Sequence, residues 1–241
     1  MRYIRSWLVI LMTFTLLLVG CTEGVGQMEQ QEQKEIREKA IEYIRGKYNK
    51  EFEVTKVSIG QVTGLVRVRG VVKDGKDTEA TVFWEKPDEM DDTYVTRLWT
   101  EELKPKITSV IHKHMDVRKV EEVVYSDGTK KSDYTGEVPS VFQVLENGGD
   151  PDFTLEATMR IYENEGKYEK ELRNFLKEIQ LMNFNKFLME VFVVDDELKS
   201  APEDVKESSY TLYRYNIVID DIQKVDIDSL DLDQYKTVIK E

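Results

Sequence analysis

His112 and His114 are the only histidines in the chain, and two imidazoles at this spacing can chelate a metal ion where the backbone between them is extended. On a helix the same spacing turns the two rings about 200° apart, and no ion can be shared. The surrounding pattern is helical, so the expected setting is a solvated helix end, where a protonated ring suits the helix dipole. Ser109, His112 and Asp116 have the side-chain types of a nucleophilic triad. Helical spacing prevents the linear relay such a triad needs, and no Gly-x-Ser-x-Gly elbow occurs. Asp226, Asp228, Asp231 and Asp233 offer the oxygen ligands that calcium takes. Counted from Asp226, however, loop positions five, six and twelve are Leu230, Asp231 and Thr237, where an EF-hand needs a ligand, a glycine and a glutamate. These aspartates are expected on a polar edge strand, where charge discourages edge-to-edge pairing. No catalytic, metal-binding or cofactor-binding residue is assigned, and no cofactor is expected.

Neither a Gly-x-x-x-x-Gly-Lys loop nor a Gly-x-Gly-x-x-Gly turn is present, which disfavours nucleotide chemistry. Trp84, Trp99, Phe83, Tyr94, Tyr210, Tyr213 and Tyr215 could grip a peptide, a glycan or a partner protein, but aromatic residues on alternating strands are more often core. The acidic runs at 88–92 and 195–197 are expected in solvated loops.

The remaining chemistry lies near the N-terminus. Arg2 and Arg5 precede an uncharged run from Ser6 to Val19, too short to span a bilayer comfortably but suited to a signal peptide. It closes on Leu18, Val19, Gly20 and Cys21, the only cysteine. This segment resembles the lipobox of bacterial lipoproteins at all four positions. The resemblance covers about a tenth of the chain and implies removal of residues 1–20 and a diacylglyceryl thioether on the Cys21 sulfur, a thiol being nucleophilic enough for that transfer. It also implies a lipid-anchored protein on the extracytoplasmic face of the cell membrane. Two acyl chains, at about 0.8 kcal/mol per buried methylene, hold firmly where one chain is marginal. The alternative is an uncleaved signal anchor with an incidental cysteine.

Lys and Arg number 34 against 47 Asp and Glu, a net charge of −13, and loss of Arg2 and Arg5 would make the exported part still more acidic. An anion of this size is a poor nucleic-acid binder and is repelled by anionic lipid. With Cys21 lipidated the exported part has no thiol, which excludes disulfides, cysteine catalysis and zinc–thiolate clusters from it. Its core must therefore form from apolar packing alone, and residues 21–241 are enough for one large or two small domains.

Residues 22–33 lack apolar periodicity and are expected, with Cys21, to form a flexible tether over 21–33. Ile36, Ala40, Ile41, Ile44 and Tyr48 recur at helical spacing and predict an amphipathic helix over 34–47. Residues 52–59, 65–72 and 78–85 alternate apolar and polar side chains and predict three antiparallel strands, the last two joined by a hairpin at Asp74-Gly75. Residues 93–99 also alternate, predicting a fourth strand before a helix to His114, with Thr100 as its N-cap or Pro105 at its start. Residues 117–125 fit either a strand or a helical extension. Turn formers dominate 126–150, the best candidate for a linker between domains at 34–125 and 151–241, or else a long decorated loop. Beyond it, a strand is expected at 153–163, a helix over 168–182, long strands at 187–196 and 208–221, and an edge strand in the tail.

The class expected is α+β, with amphipathic helices packed on antiparallel meander sheet, resembling uncharacterised Gram-positive surface lipoproteins. The pattern is also similar to cystatin-like and nuclear-transport-factor-like modules, which serve mostly as binding or dimerisation scaffolds. The function expected is that of a non-enzymatic, membrane-anchored binding or interaction module, whose partner is an envelope protein or a small ligand and not nucleic acid. Two alternatives stand beside it. One is the solute-binding subunit of a transporter, which a deep hinge cleft would favour. The other is an envelope hydrolase, which convergent carboxylates or a histidine in one pocket would favour.

Overall fold

The computed structural model describes residues 30–86, 88–128, 132–202 and 204–240. The expected signal peptide, Cys21 and most of the expected tether lie outside the described residues. The chain divides into two compact units, Met1–Ile36 and Arg37–Glu241. Of the first, residues 30–36 are described, and they are helical. They open helix α1, Gln30–Tyr48, so residues 30–33 of the expected tether belong to a helix. Glutamine and glutamate are good helix formers, and propensity extends the helix upstream of its apolar face.

Three strands follow as expected: β1 (Glu51–Ile59), β2 (Val66–Lys73) and β3 (Thr78–Trp84), paired antiparallel in that order. Val66, Val68, Val72, Ala80, Val82 and Trp84 are buried on one face, while Arg67, Arg69 and Glu79 stand exposed on the other. Gly70 belongs to the buried face because the Phe52 ring lies over it. A Cβ there would come within 2.7 Å of that ring and within 2.5 Å of the Glu53 carbonyl oxygen. A two-residue strand β4, Asp91–Asp92, completes this sheet beside β3.

The expected strand at 93–99 is instead the first quarter of a long helix, α2, Tyr94–His114. Tyr94, Val95, Leu98, Trp99, Leu103, Ile107, Val110 and Ile111 form its buried face, a helical period that overrides the alternation of its first residues. Thr100 is therefore not a cap but a buried interior residue, bonded through its hydroxyl to the Tyr125 backbone. Pro105 sits inside the helix on the exposed side, where water can serve the carbonyl that the missing N–H leaves free.

Residues 117–125 resolve as a strand, β5 (Val117–Ser126), which opens a second sheet with β6 (Thr154–Tyr162), β7 (Lys186–Val194), β8 (Thr211–Ile219) and β9 (Lys236–Val238) in sequential order. The class is α+β. Sheet two is not a pure meander, because β6 and β7 run parallel. Helix α4, Tyr168–Leu181, lies between them in the chain and carries it back to the starting end of the sheet, which a hairpin cannot do. Leu172, Phe175, Leu176 and Ile179 of α4 are fully buried, as are Leu155, Met159, Phe187, Met189 and Val191 of the sheet.

Residues 126–150 lie within Arg37–Glu241, one compact unit, and form the loop that runs from β5 towards β6. The loop contains a short helix, α3 (Val141–Glu146), started by a Ser140/Gln143 capping box. Glu102 of α2 holds it by accepting from the Ser140 hydroxyl at 3.0 Å and the Val141 amide at 2.9 Å. Trp99 donates its indole N–H to the Pro139 carbonyl at 2.9 Å and packs on Phe153 and Tyr134. Among the described residues no helix is long and apolar enough to cross a membrane.

Candidate functional site

The site begins with an irregularity in β1. Phe52 and Val54 pair with Val72 and Gly70, then the register shifts, and Lys56 stands opposite Arg69. The extra residue is Thr55. A bulge of this kind puts two consecutive side chains on one face, and Thr55 and Lys56 are both exposed while Val57 turns back inward. The Thr55 hydroxyl donates to the Arg69 carbonyl at 3.2 Å. On its other side Arg69 is opposite Thr81 of β3. The outer face of the first sheet thus carries a row running Lys56, Arg69, Thr81 across three strands.

Helix α2 closes the far end of that row. The Thr93 amide donates to the Thr81 carbonyl at 3.1 Å, and the Thr81 amide donates back to the Thr93 hydroxyl at 3.0 Å. Arg97 follows one turn later, its amide bonded to the Thr93 carbonyl, and its side chain joins the same surface. Together Thr55, Lys56, Arg69, Glu79, Thr81 and Arg97 line a groove of about 510 Å³. Among the described residues Lys56, Arg69 and Arg97 make no ion pair, and Glu79, the carboxylate of this lining, pairs with none of them.

The start of α2 is held by a buried carboxylate on the opposite face. Asp92, at the end of β4, accepts from the Tyr94 amide at 2.8 Å and so caps the helix from two residues upstream. It also accepts from the Lys47 ammonium at 2.9 Å, the Tyr48 hydroxyl at 3.0 Å and the Tyr43 hydroxyl at 3.1 Å. Burial and then the Asp92 charge push both tyrosine hydroxyls far above their ordinary values, so they act as fixed donors. The Lys47 ammonium also lies 5.1 Å from the Tyr48 ring centre. Asp92 therefore fixes α1, β4 and α2 together, and with them the position of Arg97. A second, shallower depression of about 490 Å³ opens beside this pair, lined by Tyr43, Lys47, Ser132 and Asp133.

Tyr94 makes a second tie through its hydroxyl, which donates to Asp74 in the β2–β3 hairpin at 3.0 Å. Asp74 also accepts from the Thr78 hydroxyl at 2.7 Å and the Lys76 amide at 2.9 Å. Burial pushes its carboxyl up, but these hydrogen bonds outweigh burial and leave it below the usual carboxylate range. Asp127, just past β5, behaves oppositely. Burial raises its carboxyl, and the bonds from the Thr96 hydroxyl at 3.2 Å and from its own backbone amide do not offset the desolvation.

The residues singled out in the sequence are scattered. His114 pairs with Glu178 of α4, whose carboxyl the Lys113 and His114 bonds hold below its ordinary value, while His112 points to solvent. Asp116 pairs with Lys199 at 2.7 Å and is not joined to His112. The Asp226–Asp233 run is not on an edge strand: it lies in turns before β9, where Asp226 and Asp231 each accept from the amide two residues on. Among the described residues no group of three or more metal-ligating side chains is close enough to hold an ion. Trp84, Trp99, Tyr94 and Tyr215 are buried, and Phe83, Tyr210 and Tyr213 are half-buried, so the aromatic set is divided between core and margin. The 88–92 acidic run is not simply a solvated loop, since Asp92 is buried. Nor is 195–197, where Asp195 caps a 3-10 turn and Asp196 pairs with Lys199.

The groove was missed because Arg67 and Arg69 read as the ordinary polar face of a strand. One signal was present: the apolar positions of β1 are 52 and 54, then 57 and 59, a change of phase that marks the bulge.

No protein-family model matches the chain. No curated protein matches it. Among solved structures, a DUF5037 family protein from Ruminococcus gnavus ATCC 29149 is similar at 14% identity with a TM-score of 0.41, over 80% of this chain and 96% of that one.

Proposed function

We propose that this chain is a lipid-anchored binding module of the outer face of the cytoplasmic membrane. Its α+β body captures an envelope protein or a small ligand and catalyses no reaction on it. Two supports are independent of each other. The Leu18-Val19-Gly20-Cys21 run supports the anchor, with Cys21 as the lipidated residue. The observation that carries the binding role is the groove on the outer face of the first sheet, whose charged lining residues have no ion-pair partner among the described residues. Charged side chains gathered in a concavity without partners are available to a ligand.

In-cell crosslinking with the wild-type chain, Cys21→Ser and Arg69→Gln, followed by mass spectrometry, tests both parts. The expected result is membrane recovery lost with Cys21→Ser, and a captured molecule lost with Arg69→Gln. Membrane recovery that is unchanged by Cys21→Ser would overturn the anchor. Capture that is indifferent to Arg69 would overturn the groove as the binding site.

A further inference from the structure

We infer that the groove binds the phosphate group of a hydroxylated phosphate ester, through Lys56, Arg69 and Arg97. The inference rests on the binding reading above and names the chemistry of its ligand.

The argument starts from charge. The chain as a whole is an anion of −13, yet this groove gathers three cations from three different elements: Lys56 from β1, Arg69 from β2 and Arg97 from α2. Like charges directly opposite on neighbouring strands are unfavourable, and Lys56 and Arg69 are so placed by the bulge at Thr55. A regular strand would avoid this pairing, since strict alternation from Phe52 and Val54 would turn residue 56 to the other face. The bulge brings the second charge into the groove, and an anion lying over the row is what offsets the repulsion.

The geometry favours phosphate over carboxylate. A planar carboxylate is satisfied by one guanidinium fork, which leaves the other two cations of the row unserved. Phosphate presents three or more oxygens in a tetrahedral arrangement and accepts from several directions at once. The charge also matches, because three cations and the carboxylate of Glu79 leave the lining with two net positive charges, and a phosphate monoester carries about −1.5 to −2. The Thr81 hydroxyl, beside Arg69 in the row, adds a neutral donor. Glu79 is one pleat along β3 from Thr81, opposite Val71. An ionised carboxylate only accepts, so Glu79 calls for a donor on the ligand, and a hydroxyl of the esterified alcohol supplies it.

The test uses the full chain in a neutral detergent, titrated calorimetrically with glycerol 3-phosphate, with glycerol and with acetate. A second arm uses mixed micelles containing lysophosphatidic acid, a phosphate monoester that keeps a free hydroxyl, which separates a lipid headgroup from a soluble ester as the source of the phosphate. The expected result is saturable binding of glycerol 3-phosphate or of the lysophosphatidic acid micelles, weakened at high salt. Arg69→Gln and Arg97→Gln should each weaken it about tenfold or more, since each removes a charge-assisted bond. Glu79→Gln should weaken glycerol 3-phosphate but not inorganic phosphate, titrated beside it as the probe that carries no alcohol hydroxyl. Arg45→Gln, an exposed cation of α1 outside the groove, should leave binding unchanged, and circular dichroism verifies the fold of each variant. Binding of neither phosphate probe overturns the inference, as does acetate bound as tightly as the ester, or binding unchanged in Arg69→Gln. If the phosphate probes fail while in-cell capture still depends on Arg69, only the phosphate assignment is lost. If capture also ignores Arg69, the binding reading fails with it.

Discussion

Lys56 and Arg69 stand directly opposite each other on the outer face of the first sheet, two like charges in adjacent antiparallel strands. Such a pair lowers stability by roughly 0.2–1 kcal/mol in the free protein. Arg69→Thr is therefore expected to stabilise the unliganded chain by a few tenths of a kcal/mol to about 1 kcal/mol at low ionic strength. The gain should shrink at high salt, because exposed charges are screened. Urea denaturation at two salt concentrations checks this, and a variant less stable than wild type at low salt would contradict it.

Asp92 sits at the junction of α1, β4 and α2 with its carboxylate buried and four donors around it. Asp92→Ala is expected to cost about 3–5 kcal/mol, the range for breaking a buried ion pair and leaving its partner charge without compensation. Replacing Lys47 by Met in the same chain removes that stranded charge and should recover part of the loss. A double variant no more stable than Asp92→Ala would show that the penalty lies in the helix start and the two tyrosine hydroxyls and not in Lys47.

Asp74 links the β2–β3 hairpin to Tyr94, and its folded-state carboxyl titrates below the ordinary value. The ionised form is favoured by folding, so its contribution is present above the unfolded value of about 4 and is lost as pH falls through the folded value. Asp74→Asn is expected to be less stable than wild type at neutral pH, with the gap closing below about pH 4. Melting curves across that window decide it, and a gap that widened on acidification would refute the assignment.

Asp127 has the opposite sign, because burial raises its folded-state carboxyl. Its protonated form is favoured by folding, so that contribution is complete below the unfolded value of about 4 and is lost as pH rises through the folded one. Asp127→Asn keeps the oxygen that accepts from Thr96 and removes the half-buried charge. The variant should be more stable than wild type at neutral pH and nearly equal to it below about pH 4. Equal stability at both would show that the charge is fully solvated.

Much of the fold could be read locally. Strands β1, β2 and β3, the hairpin at Asp74-Gly75 and helix α4 follow the expected spans within a residue or two, because alternation and helical spacing depend on neighbours in the chain. Residues 93–99 failed for a local reason as well. Tyr94, Val95, Leu98 and Trp99 satisfy a helical face and, in part, an alternating one, and the longer run to Ile111 decides between them. The cap that starts α2 was hidden because Asp92 lies in an acidic run whose other members are not buried.

The apolar periods of the sequence were by themselves enough to determine the α+β class, since each element must bury one face and the spacing says which. Tertiary structure alone decided the groove, the parallel placement of β6 beside β7 and the burial of Asp92. Each is a relation between residues distant in the chain. Lys56 faces Arg69 only once β1 and β2 are in register around the bulge, Arg97 joins them only once Thr93 has paired with Thr81, and Asp92 is buried only once Lys47 and Tyr48 have packed over it. Such pairings are set by register and packing between elements, which no local period of side chains encodes.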